Sequence, residues 1–427
     1  MLDTGNTAFV LIATALVLLM TPGLGFFYGG MVRGRNVLNT LMLSFVTLAV
    51  VGVQWVLIGY SLAFAPGQGA WAPWIGSLKW LGLQGVGLAP EPSYAASIPH
   101  LAYVVFQGTF AIITPALISG AVVERMHFRA YAVFTALWAT FVYAPIAHWV
   151  WGQGGWLKGL GALDFAGGTV VHVAAGFSAL VAAAVVGSRS RPSPVVSQGY
   201  QVPFVLLGAA LLWFGWFGFN GGSALEANGI AALAVTTTNT AAAAGALSWM
   251  LLEGWRERKV TVVGGASGAV AGLVAITPAA GFVSPLAAIA IGAVSAVACA
   301  YAVEWNRRRL KIDDSLDSFS VHGVGGIVGA LLTGVFASKA LNPAGADGLL
   351  AGHVGLLGIQ LVAVLAVAAY AALATFVLLK ALDRVMRLRV AETIEAEGLD
   401  MHHHGGRLGT AQLPPTEWAT PGQERAL

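Results

Sequence analysis

Charge is scarce in this sequence. Lysine, arginine, aspartate and glutamate make up 10% of its 427 residues, against 57% hydrophobic residues and a mean hydropathy of +0.76. A soluble domain carries about 25% charged residues, so this is the composition of a polytopic membrane protein. Cysteine is nearly absent as well. The single Cys299 excludes an intrachain disulfide and any cysteine-rich metal site. The start, Met1-Leu-Asp-Thr-Gly-Asn6, lacks the basic region of a secretory signal, so the first apolar run reads as a retained span. The surplus of three positive charges (pI ≈ 9.0) is explained by membrane orientation and implies no nucleic acid. No metal-ligand spacing or nucleophile motif appears among the loops, so no enzyme and no cofactor are expected.

What is abundant is glycine, 55 residues, which lets helices approach closely in lipid. Runs long enough to cross a bilayer fall near 8–29, 40–66, 100–123, 130–151, 166–187, 201–220, 228–252, 260–279, 283–303, 319–338 and 352–382. The pattern predicts an all-α fold of eleven transmembrane helices, with residues 1–384 in the membrane domain and 385–427 as a tail. Of the 22 lysines and arginines, 19 lie in the loops after spans 1, 3, 5, 7 and 9, in the tail, or at the tail end of span 11 (Lys380 and Arg384), and only Lys79, Lys158 and Lys339 lie on the other side. The positive-inside rule therefore puts the N-terminus outside and the tail in the cytoplasm. The segment 67–99 reads as an extracytoplasmic loop, with room for a short helix. The tail's end, with Pro414, Pro415 and Pro421, has a disordered composition.

Two stretches share one spacing: Asp164-Phe-Ala-Gly-Gly-Thr-Val-Val-His172 and Asp314-Ser-Leu-Asp-Ser-Phe-Ser-Val-His322. Eight residues at about 1.5 Å each carry the histidine roughly 12 Å beyond its aspartate along a helix. Spans 5 and 10 enter from opposite faces in the predicted topology, so in a core about 30 Å thick the histidines come within roughly 6 Å of one depth. Span 1 ends Gly25-Phe-Phe-Tyr-Gly-Gly30 and span 6 ends Gly218-Phe-Asn-Gly-Gly222, a second correspondence between the halves. Five spans per unit is odd, so repeats at about 8–187 and 201–338 are inverted, with the eleventh span bracing them, and inverted repeats place sites at their interface. Ionisable residues at that depth mark ion or substrate pathways. The alternative is two core histidines bonded to backbone or water. Asp164 and Asp314, each ahead of a helix, read equally as N-caps.

With Leu19-Met-Thr-Pro-Gly-Leu-Gly-Phe-Phe-Tyr-Gly-Gly30 and Asp313-Asp-Ser-Leu-Asp-Ser-Phe-Ser-Val-His-Gly-Val-Gly-Gly326 beside the Asp164 element, the sequence resembles the Amt branch of the Amt/Rh ammonium transporters over roughly 1–400. The resemblance implies a homotrimer in the cell membrane that moves ammonium or ammonia, with methylammonium as an analogue. It implies an external site of Trp151, Phe106, Phe110 and Ser223, shaped by Asp164 without direct contact. Phe110 and Phe219 match a stacked pair that closes the pore below it. His172 and His322 match a pore-lining pair able to relay a proton, and Trp216 lies on the Phe219 face, further in. Asp314 caps its helix. A PII-type signalling protein is a further implied partner, with Glu124-Arg125 and Arg307 to Lys311 read as cytoplasmic anchors or as its docking residues. Glu397-Gly-Leu-Asp400 fits the family tail, but Met401-His-His-His-Gly405 departs from it. The rival readings are an electroneutral Rhesus-type channel, which Trp151 argues against, and an ammonium sensor, for which a 43-residue tail, 385 to 427, is too short to hold a kinase or cyclase domain.

Overall fold

The computed structural model describes residues 1–190 and 201–409. Arg191, Arg425 and the proline-rich end of the tail lie outside the described residues. Everything described is helix, turn or loop, without a β-strand. Among the described residues, ten helices are long and apolar enough to cross a membrane: α1 Thr4–Gly29, α2 Gly34–Phe64, α3 His100–Val122, α4 Phe128–Leu160, α5 Gly168–Val186, α6 Val202–Gly221, α7 Gly229–Glu257, α9 Pro285–Leu310, α10 Phe319–Phe336 and α11 Val354–Val385. This is a multi-pass membrane protein. The eighth apolar run forms α8, Val262–Ile276, of only 15 residues. Pro278 ends it, because proline clashes with a helical residue before it, and the chain turns through 277–283 before Ser284 caps α9 by accepting from Ala287 N–H.

Helices α1 and α6 pack along their length, α5 packs against α10, and α11 lies across both α5 and α10. The segment 67–99 holds two single 3-10 turns, Gly69–Trp71 and Leu81–Leu83, rather than a regular short helix.

Glu124 and Arg125 correct the sequence reading. They are 1% and 0% exposed, so neither is a surface anchor or a docking group. Glu124 accepts from Arg33 Nε, Asn36 Nδ2 and Arg189 Nη1, each at 2.8 Å. The Arg125 guanidinium donates to the carbonyls of Ala121, Val123, Gly187 and Asp313 and to Ser315 Oγ. Burying a charge is costly unless it is paired and hydrogen-bonded, and here nearly every donor is used. Burial alone would raise the Glu124 carboxyl, yet Arg33 and Arg189 hold it below the usual range. The ends of α1, α3 and α5 and the lead-in to α10 are thereby tied together.

The described tail is folded onto this network. His127 N–H donates to Leu388 O, and Val390 N–H to Arg125 O. Two short helices follow, α12 Glu392–Glu397 and α13 Leu399–His404. Glu395 accepts from Ser190 N–H and Arg389, while Asp400 accepts from Leu38 and Asn39 N–H at the start of α2.

Candidate functional site: an apolar passage with two histidines

The site lies where α5 and α10 cross. A Cβ on Gly176 would fall 2.2 Å from Gly323 N, and one on Gly326 would fall 3.0 Å from Val173 N, so the contact requires glycine on both helices. One helical turn before Gly176 is His172, and immediately before Gly323 is His322, so the backbone contact brings the two rings together. Their Nδ1 atoms are 3.2 Å apart, with ring centroids 5.3 Å apart and planes 12° from parallel. That hydrogen bond needs a proton on one nitrogen and a lone pair on the other, so a neutral pair holds opposite tautomers.

Each histidine sits on a π-helical turn, Gly168–Val173 and Phe319–Gly323. The His172 N–H reaches Gly167 O, five residues back, at 3.1 Å. Such turns are rare and concentrate at functional sites. Asp164 fixes the first of them by accepting from the backbone N–H of Gly167, Gly168, Thr169 and Val170 and from Thr169 Oγ1, at 2.5–3.1 Å. Asp314 does the same for the second through Ser318 and Phe319 N–H at 3.1 and 2.7 Å.

Aromatic rings continue from the histidines to one end of the bundle. Trp216 stacks on His172 at 5.4 Å and 14°, held by an Nε1–H bond to Thr277 Oγ1. Phe219, on a third π-helical turn, Phe217–Gly221, lies 6.2 Å from His172 and stacks on Phe110 at 4.2 Å. Phe110 meets Phe106 at 5.0 Å and the edge of Trp151 at 6.1 Å. Trp151 Nε1–H donates to Asp164 O, which joins the shelf to the cap.

Two cavities flank the histidine pair. One, of about 10 Å³, is bounded by Met20, Leu24, Ile113, Leu117, Val171, Leu212, Val270, Trp216, Phe219 and the two histidines. It is sized for one small molecule, and its walls apart from the imidazoles are apolar. The other, of about 500 Å³, touches His322 and widens past Tyr28, Ser318 and Asp317 to Arg307 and Glu304. The arrangement is an aromatic shelf, a stacked pair of rings, a narrow apolar passage with two imidazoles, and a polar vestibule.

Comparison with known proteins settles the family. The model of the Ammonium Transporter Family matches residues 8–408. The chain belongs to the ammonium transporter family. It is 49% identical over 404 residues to an ammonium transporter of Bacillus subtilis, covering 95% of this chain and 98% of that protein. The Saccharomyces cerevisiae Mep2 crystal structure superposes with a TM-score of 0.84 at 40% identity, over 91% of this chain and 88% of that one. A solved sensor Amt protein matches with a TM-score of 0.83 at 30% identity, over 93% and 97% of the two chains.

In this family member Phe106, Phe110, Trp151, Phe219, Trp216, His172 and His322 form one continuous file. Ser223 joins it at the shelf: the backbone of Gly222 lies against the Phe106 ring, and Ser223 Oγ–H donates to Phe219 O at 2.8 Å, leaving its lone pairs as acceptors. Asp164 stands behind Trp151 with its carboxylate turned to the backbone. Three participants escaped the sequence reading. Thr277 anchors Trp216. Asn220 is buried beside Phe219, and its Oδ1 has no partner among the described residues, although its Nδ2 donates to Thr238. Tyr28 meets Ser318 at 3.2 Å on the vestibule side of His322. An asparagine closing an apolar run was a usable signal, whereas Thr277 has none at sequence level.

Proposed function

We propose that this protein is an ammonium transporter of the cell membrane. Eleven spans, counting α8, form inverted repeats at about 8–187 and 201–338 with α11 bracing them. The N-terminus is outside, the tail 385–427 is in the cytoplasm, and three protomers assemble, each with its own pore. Ammonium is captured outside by Phe106, Phe110, Trp151 and Ser223. It gives up its proton near Phe110, and ammonia passes Phe110 and Phe219 and then His172 and His322 to the vestibule. An aromatic face attracts a cation by roughly 0.5–2 kcal/mol, whereas a charge at the membrane centre costs at least ~2.5–3.5 kcal/mol. The cation is thus favoured on the shelf and disfavoured in the passage.

One observation carries the reading: two imidazoles joined through Nδ1 within an apolar passage under a stacked ring pair. His172 Nε2 is buried without a partner among the described residues, which leaves it able to exchange a hydrogen bond with a passing molecule. The pair therefore carries the proton, and transport moves net charge. The test is current from reconstituted protein during ammonium pulses, with the oligomer measured by mass in mild detergent. A trimer with inward charge movement is expected. A purely monomeric particle, or ammonium flux without current, counts against the corresponding half of the reading.

Methylammonium should compete for the shelf and strongly hydrated sodium should not. Trp151→Leu removes one aromatic wall, about 1 kcal/mol, so half-saturation should rise several-fold with the maximal current largely kept. An unchanged concentration dependence would remove Trp151 from the site.

A further inference from the structure

Helix α13 ends in three consecutive histidines, two of which converge on one atom. His403 Nδ1 and His404 Nε2 lie 3.0 and 3.1 Å from Asn39 Oδ1, at the start of α2. The His127 ring is 4.9 Å from His403, and Phe128 meets His404 edge-on at 4.9 Å. The groups around the pair are mostly basic. The tail contributes His402, and the start of α4 contributes His127 and Arg129. Among the described residues, Glu397 meets His402, and Asp400 accepts from the Leu38 and Asn39 N–H groups. A second proton on either ring would place a cation among cations.

We propose that residues 399–404 are a pH-sensitive latch, held on Asn39 and the start of α2 while His403 and His404 are neutral and released when this face becomes acidic. The latch bears on the pore through its neighbours. Leu399 N–H donates to Asn36 Oδ1 in the Glu124 network, and α12 holds Ser190 at the end of the His172 helix.

Burial, with His127 and His404 beside it, pushes His403 down to about 3, and burial pushes His404 down to about 4. A histidine lowered on docking contributes fully above its free pKa, about 6.5, and that contribution is lost as pH falls toward the docked value. Asp400 acts in the opposite sense. Burial raises it to about 6, so docking takes up its proton and is favoured as pH falls through that value. Between pH 7.5 and 5.5 the two histidines each favour release by about tenfold and Asp400 returns about fourfold, a net opening of roughly 25-fold.

Hydrogen exchange of the full-length protein in lipid nanodiscs, corrected for intrinsic rates, reads this from the amides of 399–405, with α5 amides as the control for the membrane domain. Opening should rise roughly 25-fold from pH 7.5 to 5.5. His403→Asn with His404→Gln keeps a donor at each position and removes both titrations, so the rise should vanish or reverse. His402→Gln should keep it. A flat profile in the parent, or the parent's rise in the double variant, overturns the latch. If the double variant is open at both pH values, the single variants decide: each should cut the rise about tenfold, and the full rise in both overturns it.

Discussion

Replacing either His172 or His322 with alanine should abolish the selective ammonium current. The two rings are each other's hydrogen-bond partner at 3.2 Å, so removing one breaks any relay through the pair and leaves a void among Met20, Leu24, Val270 and Trp216. At His322 such a void borders the 500 Å³ vestibule, from which water can enter it. Potassium resembles ammonium in size, and on the proposed mechanism it should be kept out, because a bare ion cannot shed its charge to cross an apolar passage. Two outcomes therefore follow from one cause: the current disappears where the passage stays dry, or potassium is admitted where water fills it. An acidic residue at one position still exchanges protons and should retain partial activity. The comparison is His172→Ala and His322→Ala against the parent, with ammonium and potassium currents recorded in the same liposomes. Parent-level, potassium-excluding ammonium currents in both variants would return the histidines to ordinary packed residues.

Much of this site was legible because it is repeated. A single buried histidine has many ordinary uses, but the same eight-residue interval from aspartate to histidine, in two spans predicted to enter from opposite sides, constrains depth as well as identity. The span boundaries were legible for a simpler reason. Hydropathy over about 20 residues is a local property, and α3, α5 and α10 begin and end within a few residues of the predicted runs. Other features depend on what lies across the fold. The π-helical turns under His172, His322 and Phe219 arise from an extra residue per turn, which no residue type announces. Glu124 and Arg125 look like any charged pair after an apolar run, and only the meeting of Arg33, Asn36, Arg189 and Asp313 explains how they can be buried. The tail histidines read as a departure from the family pattern, and their shared acceptor, Asn39, lies more than 360 residues away in sequence.

Asp164→Ala should cost more than an order of magnitude in ammonium current, by a route different from that of the histidines. Its carboxylate is the acceptor for four consecutive-region backbone N–H groups and for Thr169 Oγ1. Hydrogen bonds to a charged acceptor contribute about 1.5–3 kcal/mol each, and a buried donor left unsatisfied costs about 1–3 kcal/mol. Losing even two of them unrecovered would free the π-helical turn that carries His172, and with it the facing Nδ1 atoms. The shelf would shift too, since Trp151 is bonded to the Asp164 carbonyl. Asp164→Asn separates geometry from charge: one side-chain oxygen remains to accept, while the new NH2 group faces N–H donors and cannot bond to them. The asparagine variant should therefore fall between the parent and alanine in both maximal current and thermal stability. If Asp164 only supported the helix, stability and current would decline together and half-saturation would stay constant. If it also shapes the cation site, half-saturation should rise in the asparagine variant beyond what its stability accounts for. Full current with unchanged half-saturation in Asp164→Ala would contradict both roles and leave the cap as one interaction among many at the start of α5.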